Sequence, residues 1–104
     1  MYYIYMIRCH DNSLYTGITK DIKKRIQEHY YKKGNCAKYT RARDVVSLDA
    51  LWRTATRSDA AKMEYTLKKL TKQAKEALIL NPNKIADSTY ICELNITLES
   101  CLER

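Results

Sequence analysis

The sequence predicts an α+β fold: a small, mostly antiparallel three-stranded sheet flanked by helices, in the order β-β-α-β-α-α. Three observations carry that prediction. Two short β-type runs are joined by turn formers at the N-terminus, a third alternating run covers residues 45–53, and helical apolar spacing fills the intervals. At 104 residues the chain can bury one modest core but is too short for a doubly wound sheet or a large internal cavity. Any site is therefore expected on a face or in a shallow cleft.

From Tyr2 to Cys9 nearly every residue is apolar or aromatic, with β-branched Ile4 and Ile7, as suits a strand covered on both sides. Asp11, Asn12 and Ser13 are turn formers, and Leu14 to Ile18 resumes the β pattern. Gly17 lies inside that second strand, where glycine weakens a strand unless a bulge or a close approach of another group requires it. Thr19 or Asp21 can cap a helix running to about Tyr31, with Ile22, Ile26 and Tyr30 as its buried stripe and Gly34 as its stop. Residues 35–44 read as a polar loop. The third run sets Val46, Leu48, Ala50 and Trp52 against Ser47, Asp49 and Arg53, a half-buried strand apart from Leu51. Ser58 can cap a helix carrying Ala60, Met63, Leu67 and Leu70; Thr71 can start another over 72–80, with Ala74, Ala77 and Leu78 inward, closed by Pro82. Residues 1–82 are thus expected as one domain and 83–104 as a tail, flexible or carrying a strand or a helix.

Charge is distributed unevenly. Residues 1–80 hold 17 basic and 8 acidic side chains, a net +9, while 81–104 hold 2 and 4, a net −2. A basic body suits a polyanion, since Lys and Arg release counterions from phosphate backbones. No apolar stretch approaches the ~20 residues that span a bilayer and no secretory signal opens the chain, so a soluble, cytoplasmic protein with no membrane partner is expected. Cys9, Cys36, Cys92 and Cys101 form no Cys-x-x-Cys pair. A mixed metal site from Cys9, His10, His29 and Cys36 lacks the usual ligand spacing, which leaves reduced thiols as the reading.

Three polar residues interrupt the amphipathic patterns. Glu64 sits beside the apolar stripe of its helix, where a carboxylate needs an ion pair or a metal. Arg25 and His29 are spaced i, i+4 beside the Ile22/Ile26 stripe; Arg suits phosphate and His exchanges protons near neutral pH. Nine tyrosines and no phenylalanine imply that hydroxyls are used for hydrogen bonding, stacking or proton transfer.

In this order Tyr3-Ile4-Tyr5, Tyr15-Thr16-Gly17, Arg25, His29 and Glu64 resemble the signature of the GIY-YIG nuclease superfamily, with Tyr3 in place of the first glycine and Thr16 in place of the second isoleucine. The segments Ala37-Lys38-Tyr39-Thr40-Arg41 and Glu64-Tyr65-Thr66-Leu67-Lys68 are similar to the small stand-alone bacterial members. The resemblance spans roughly residues 2–80. It implies a metal-dependent DNA endonuclease, structure-selective in repair or recombination, with partner proteins supplying targeting. Glu64 would hold one Mg²⁺ or Mn²⁺, which suits a hard ion that takes few carboxylates plus water and phosphate. Arg25 would neutralise the scissile phosphate. Tyr5 would be the general base, with His29 as the alternative, and Tyr15 would position water or phosphate. Because a phenol near pKa 10 is a poor base, Tyr5 in that role needs Arg25 or metal-bound solvent to favour phenolate. Gly17 would let substrate or a helix approach the sheet. Asn81 is a positional candidate for the late asparagine of some relatives.

Lys32, Lys33, Lys38, Tyr39, Arg41 and Arg43 form a basic loop suited to phosphates and a stacked base. A non-catalytic nucleic-acid-binding module and an interaction scaffold in which Glu64 and Arg25 merely pair are the competing readings. The register carries one further expectation. Tyr5 and Tyr15 can share a sheet face only if paired residue numbers sum to an even number, which requires a hairpin loop of odd length or a bulge.

Overall fold

A computed structural model describes residues 1–85 and 88–103. Strands β1 (Tyr2–Cys9), β2 (Leu14–Thr19) and β3 (Val45–Thr54) form the expected antiparallel sheet. The tail adds a two-residue β4 (Ile91–Cys92) on the far side of β3, giving the order β2-β1-β3-β4. Helices α1 (Ile22–Tyr31), α2 (Lys38–Arg41), α3 (Arg57–Lys68), α4 (Lys72–Leu80) and α5 (Leu98–Leu102) surround it.

β1 is paired on both sides and covered on both faces, which explains its unbroken apolar run. Its even residues, Ile4 and Met6, enter one core with Trp52, Ala60, Met63, Leu67 and Leu78 of β3, α3 and α4. Its odd residues, Tyr5 and Ile7, enter a second core with Ile22 and Ile26 of α1 and with Leu98 and Cys101 of α5. The tail thus completes the second core: α5, capped by Thr97, packs its Leu98 and Cys101 inward.

The β1–β2 turn has the odd length that a shared tyrosine face requires. Three residues, 10–12, separate Cys9 from Ser13, whose carbonyl accepts from Cys9 N–H at 2.9 Å. Asn12 takes the left-handed conformation that closes such a loop (φ 69°). Asp11 accepts from the backbone N–H and hydroxyl of Ser13, and these bonds hold its carboxyl down at about 2.

Three sequence expectations are corrected here. The third buried residue of α1 is His29, while Tyr30 is 40% exposed. At ~100° per residue, seven positions return within about 20° of Ile22 whereas eight overshoot by about 80°. Asp21 caps α1 through Lys24 N, but the helix ends at Lys32 in the left-handed region, two residues before Gly34. Helix α3 is capped by Thr56 rather than Ser58.

β3 departs from simple alternation for a physical reason. Pairing with β1 slips between Met6 and Ile7, leaving Asp49 as the extra residue of a bulge. Leu51 and Leu48 therefore face the second core, while Ala50 and Trp52 face the first. β3 is thus covered on both faces over Ala50–Trp52, and Val46 is half-exposed. The bulge also brings Asp49 to Arg8, whose Nε donates to it at 2.6 Å. Arg8 is further held by Glu76 of α4 through two bonds of 2.5 and 2.8 Å, so one guanidinium joins β1, the bulge and α4.

Candidate active site

Tyr5 stands directly across from Gly17 in the β1–β2 ladder. A Cβ at residue 17 would lie 2.4 Å from Tyr5 Oη and 2.6 Å from Cζ. The ring therefore crosses flat over the glycine toward the β2 edge of the sheet. The space that the sequence suggested for substrate or a helix is filled by Tyr5 itself. Because Tyr5↔Gly17 and Ile7↔Tyr15 are partners, Tyr15 falls diagonally on the same face, its ring centroid 6.4 Å from that of Tyr5.

Behind the tyrosines lies a buried polar relay. His29 is fully buried; its Nε2 is 2.7 Å from Tyr5 Oη and its Nδ1 is 2.7 Å from Thr40 Oγ1. The Thr40 hydroxyl donates to the Ala37 carbonyl at 3.3 Å, so its oxygen is free to accept from Nδ1–H. That arrangement leaves Nε2 as an acceptor, and the Tyr5 O–H donates to it. Burial, reinforced by the nearby Arg25 charge, pushes the His29 pKa down to about 4, so the ring is neutral at pH 7.

Burial also raises the Tyr5 pKa, and this outweighs the opposing pull of the Arg25 guanidinium. Tyr5 at rest is a neutral phenol hydrogen-bonded to a neutral imidazole, not the phenolate that the sequence reading required. His29 and Tyr5 are both buried, 0% and 1% exposed, so the relay is shielded from solvent in the free protein.

Arg25 is partly exposed at this edge. One of its terminal nitrogens donates to Glu28 Oε1 and to the Asn35 carbonyl, both at 2.8 Å. The guanidinium also lies within interaction reach of the Tyr5 hydroxyl, which leaves only part of its five N–H donors for another partner. Glu64 approaches from α3, close enough that its charge opposes ionisation of Tyr5. Its side chain is 25% exposed and pairs with Lys68 at 3.3 Å; the Lys68 ammonium in turn lies 5.9 Å from the centre of the Tyr15 ring. Glu64 and Arg25 each pair with a neighbour on their own helix rather than with each other.

The basic loop behaves differently from its sequence reading. Lys32 donates to the carbonyls of Thr40 and Arg43 and pairs with Asp44, stitching the loop to α1. Arg43 pairs with Asp11, donates to the Tyr39 carbonyl and stacks on the Tyr39 ring at 3.9 Å. Tyr39 in turn packs on Tyr15 with centroids 5.6 Å apart, so its ring is already engaged. Arg41 donates to the Cys36 carbonyl. Lys33 and Lys38 are exposed without an ion pair among the described residues.

Asn81 ends α4 and lines an apolar groove with Leu70 and Leu78 that none of the site tyrosines borders. Sequence reasoning missed Thr40 and Lys68. Thr40 carries no periodic signal within a polar loop, and Lys68 reads as an ordinary solvated lysine unless its i, i+4 spacing from Glu64 is weighed.

Among the described residues no three His, Cys, Asp or Glu side chains converge on one point. A divalent ion here would rest on Glu64 and complete its shell with water and phosphate oxygens. The partly exposed carboxylate, tied only to one flexible lysine, suits that kind of binding. The four cysteines are free thiols. No helix among the described residues is long and apolar enough to cross a membrane.

A hairpin presenting two tyrosines on one face, a glycine beneath the first ring, an Arg–His helix and a glutamate on a later helix define a nuclease-type catalytic domain. The chain belongs to the GIY-YIG nuclease superfamily, and the GIY-YIG catalytic domain matches residues 1–77. Within it the chain is similar to small stand-alone members, the UPF0213 proteins. That of Fusobacterium nucleatum is 44% identical over 82 residues, 79% of this chain and 80% of the relative. That of Clostridium perfringens is 40% identical over 96 residues, covering 92% of this chain and 100% of the relative. The solution NMR structure of the UPF0213 protein from Bacillus halodurans aligns with a TM-score of 0.50 at 38% identity, over 86% of this chain and 99% of that one.

Proposed function

We propose that this protein is a divalent-metal-dependent endonuclease that hydrolyses phosphodiester bonds in DNA, with Tyr5, Tyr15, Arg25, His29 and Glu64 as its working residues. The observation that carries this reading is the hydrogen-bonded relay Tyr5–His29–Thr40, whose Tyr5 end lies buried beside the partly exposed Arg25 and Glu64. The Tyr5 oxygen, its own proton committed to His29, accepts from the attacking water once substrate binding draws Arg25 aside and admits that water to the buried phenol. As that water loses a proton to the phenol oxygen, the phenolic proton passes to His29 Nε2. The imidazole takes up the charge while its Nδ1–H stays on Thr40, a step that burial and Arg25 oppose in the free protein and that the phosphate's negative charge favours by offsetting Arg25. No free phenolate forms, which matters because burial disfavours it.

Arg25 presents its unspent N–H groups to the phosphate, where negative charge grows in the transition state. Tyr15, packed against both His29 and Tyr5, holds the relay in place and borders the path of the phosphate. Glu64 would hold Mg²⁺ or Mn²⁺, and that ion, when bound, supplies Lewis-acid stabilisation of the leaving oxygen. The protein acts in the cytoplasm on repair or recombination structures, and partner proteins supply targeting.

The test is cleavage of duplex, flap, junction and single-stranded DNA with Mg²⁺ or Mn²⁺. Tyr5→Phe and Glu64→Ala are each expected to lower the rate by about 10²-fold or more. Cleavage by Glu64→Ala at the unaltered rate would overturn the mechanism. Salt-sensitive binding that survives Glu64→Ala, with no substrate cut, would identify a non-catalytic binding module instead.

A further inference from the structure

Two of the five cations that the sequence assigned to the basic loop, Lys32 and Arg43, are spent in ion pairs inside it, and a third, Arg41, is tied to a loop carbonyl. Lys32 and Arg43 are paired with Asp44 and Asp11, and both, like Arg41, donate to loop carbonyls. Cations that remain available next to Glu64 lie on α3. Taking Glu64 as the origin of the helical wheel, Arg57 falls about 20° and Lys68 about 40° away, so all three occupy one edge of the helix. That edge is the one facing β2, because the Lys68 ammonium reaches both Glu64 and the Tyr15 ring.

Along the axis, Arg57 stands about 10 Å before Glu64 and Lys68 about 6 Å after it. Arg57 is exposed and has no ion pair among the described residues. The Lys68 side chain is 52% exposed, and its one charged partner among the described residues is Glu64, at 3.3 Å. A carboxylate flanked along a helix edge by two accessible cations fits a chain of phosphates better than a single anion: the cations would take neighbouring phosphates, and the reacting one would sit opposite Glu64 through the divalent ion that this carboxylate would hold.

We propose that the β2-facing edge of α3, with Arg57 and Lys68 on either side of Glu64, is the phosphate track of this protein and takes the backbone of one nucleic-acid strand across the site. This rests on the nuclease reading above and adds where the strand lies. Lys68 covers Glu64 in the free protein and turns to a phosphate when a strand arrives.

The experiment is fluorescence anisotropy with a labelled single-stranded oligodeoxynucleotide, without metal and over a salt series. It compares the unaltered protein with Arg57→Ala/Lys68→Ala and with a control, Lys23→Ala/Lys24→Ala, on the outer side of α1. Loss of two phosphate contacts flattens the slope of log K against log salt by about 1.4, so from about 50 to about 200 mM salt the unaltered protein loses about sevenfold more affinity than the α3 variant. The control, which removes the same charge elsewhere, keeps the steeper slope. An α3 variant with native thermal stability and an unchanged slope overturns the track while leaving the nuclease reading standing, as does an equal loss in the control. If the unaltered protein does not bind the oligodeoxynucleotide, the track is overturned, while the nuclease reading stands or falls on the cleavage assay with metal.

Discussion

Replacing Gly17 with alanine tests the geometry of the site in one methyl group. The added Cβ would meet Tyr5 Oη at 2.4 Å, Cζ at 2.6 Å and Cε1 at 3.1 Å, against 3.4 Å or more for ordinary contact. The ring must therefore retreat by about 1 Å in a fully packed interior, an overpacking cost of about 1–3 kcal/mol. Retreat also pulls the phenol from His29, and leaving a buried donor and acceptor unmatched adds about 1–3 kcal/mol. Gly17→Ala should thus lose about 2–6 kcal/mol in urea unfolding, although alanine ordinarily suits a strand better than glycine. The control is Tyr5→Leu, whose shorter side chain removes the three clashing atoms. In that background Gly17→Ala should cost less than about 1 kcal/mol, the difference being the coupling between the two residues. The same cost in both backgrounds, or a single-variant cost under about 0.5 kcal/mol, would refute the argument that Gly17 exists to seat the Tyr5 ring.

Two further outcomes follow from the buried polar groups. His29 is held neutral in the fold, its pKa about 4 against an ordinary 6.5. As pH falls through that window the unfolded chain binds a proton that the folded one refuses, so stability declines by up to about 3 kcal/mol and is unaffected by this group above the window. Urea midpoints at several pH values should show that decline in the unaltered protein and a shallower one in His29→Gln; parallel curves would refute it. Arg8→Ala should cost about 2 kcal/mol in thermal or urea unfolding, because it frees the β3 bulge and α4 together and strands Asp49 in a part-buried position. An unchanged midpoint would show that the clasp contributes nothing to stability.

The strands, the first long helix and the resemblance of Tyr5, Tyr15, Gly17, Arg25, His29 and Glu64 to a nuclease signature were legible in the sequence, because each rests on spacing along one element. What depends on contact between elements was not. Tyr30 and His29 compete for the same stripe on α1, and hydrophobicity favours Tyr30, yet phase and a partner on β1 select His29. Asp49 looked like the polar side of an alternating strand until the bulge turned it toward Arg8. Tyr39 looked available to a base, but Tyr15 and Arg43 occupy its ring. The ambiguous tail pattern, readable as strand or helix, resolves as both in succession: Ile91 and Cys92 extend the sheet, and Leu98 and Cys101 close the second core.

The short turn between β1 and β2 sets a rule for how this hairpin can change. Tyr5 and Tyr15 meet because the ladder pairs Tyr5 with Gly17 and Ile7 with Tyr15, so a slip of one residue in that ladder turns Tyr15 away from the relay. Residues added at the tip, between Cys9 and Ser13, lengthen the loop and leave both rings where they are while the ladder holds. The tip is therefore a place where a larger recognition element can be grafted without moving the site.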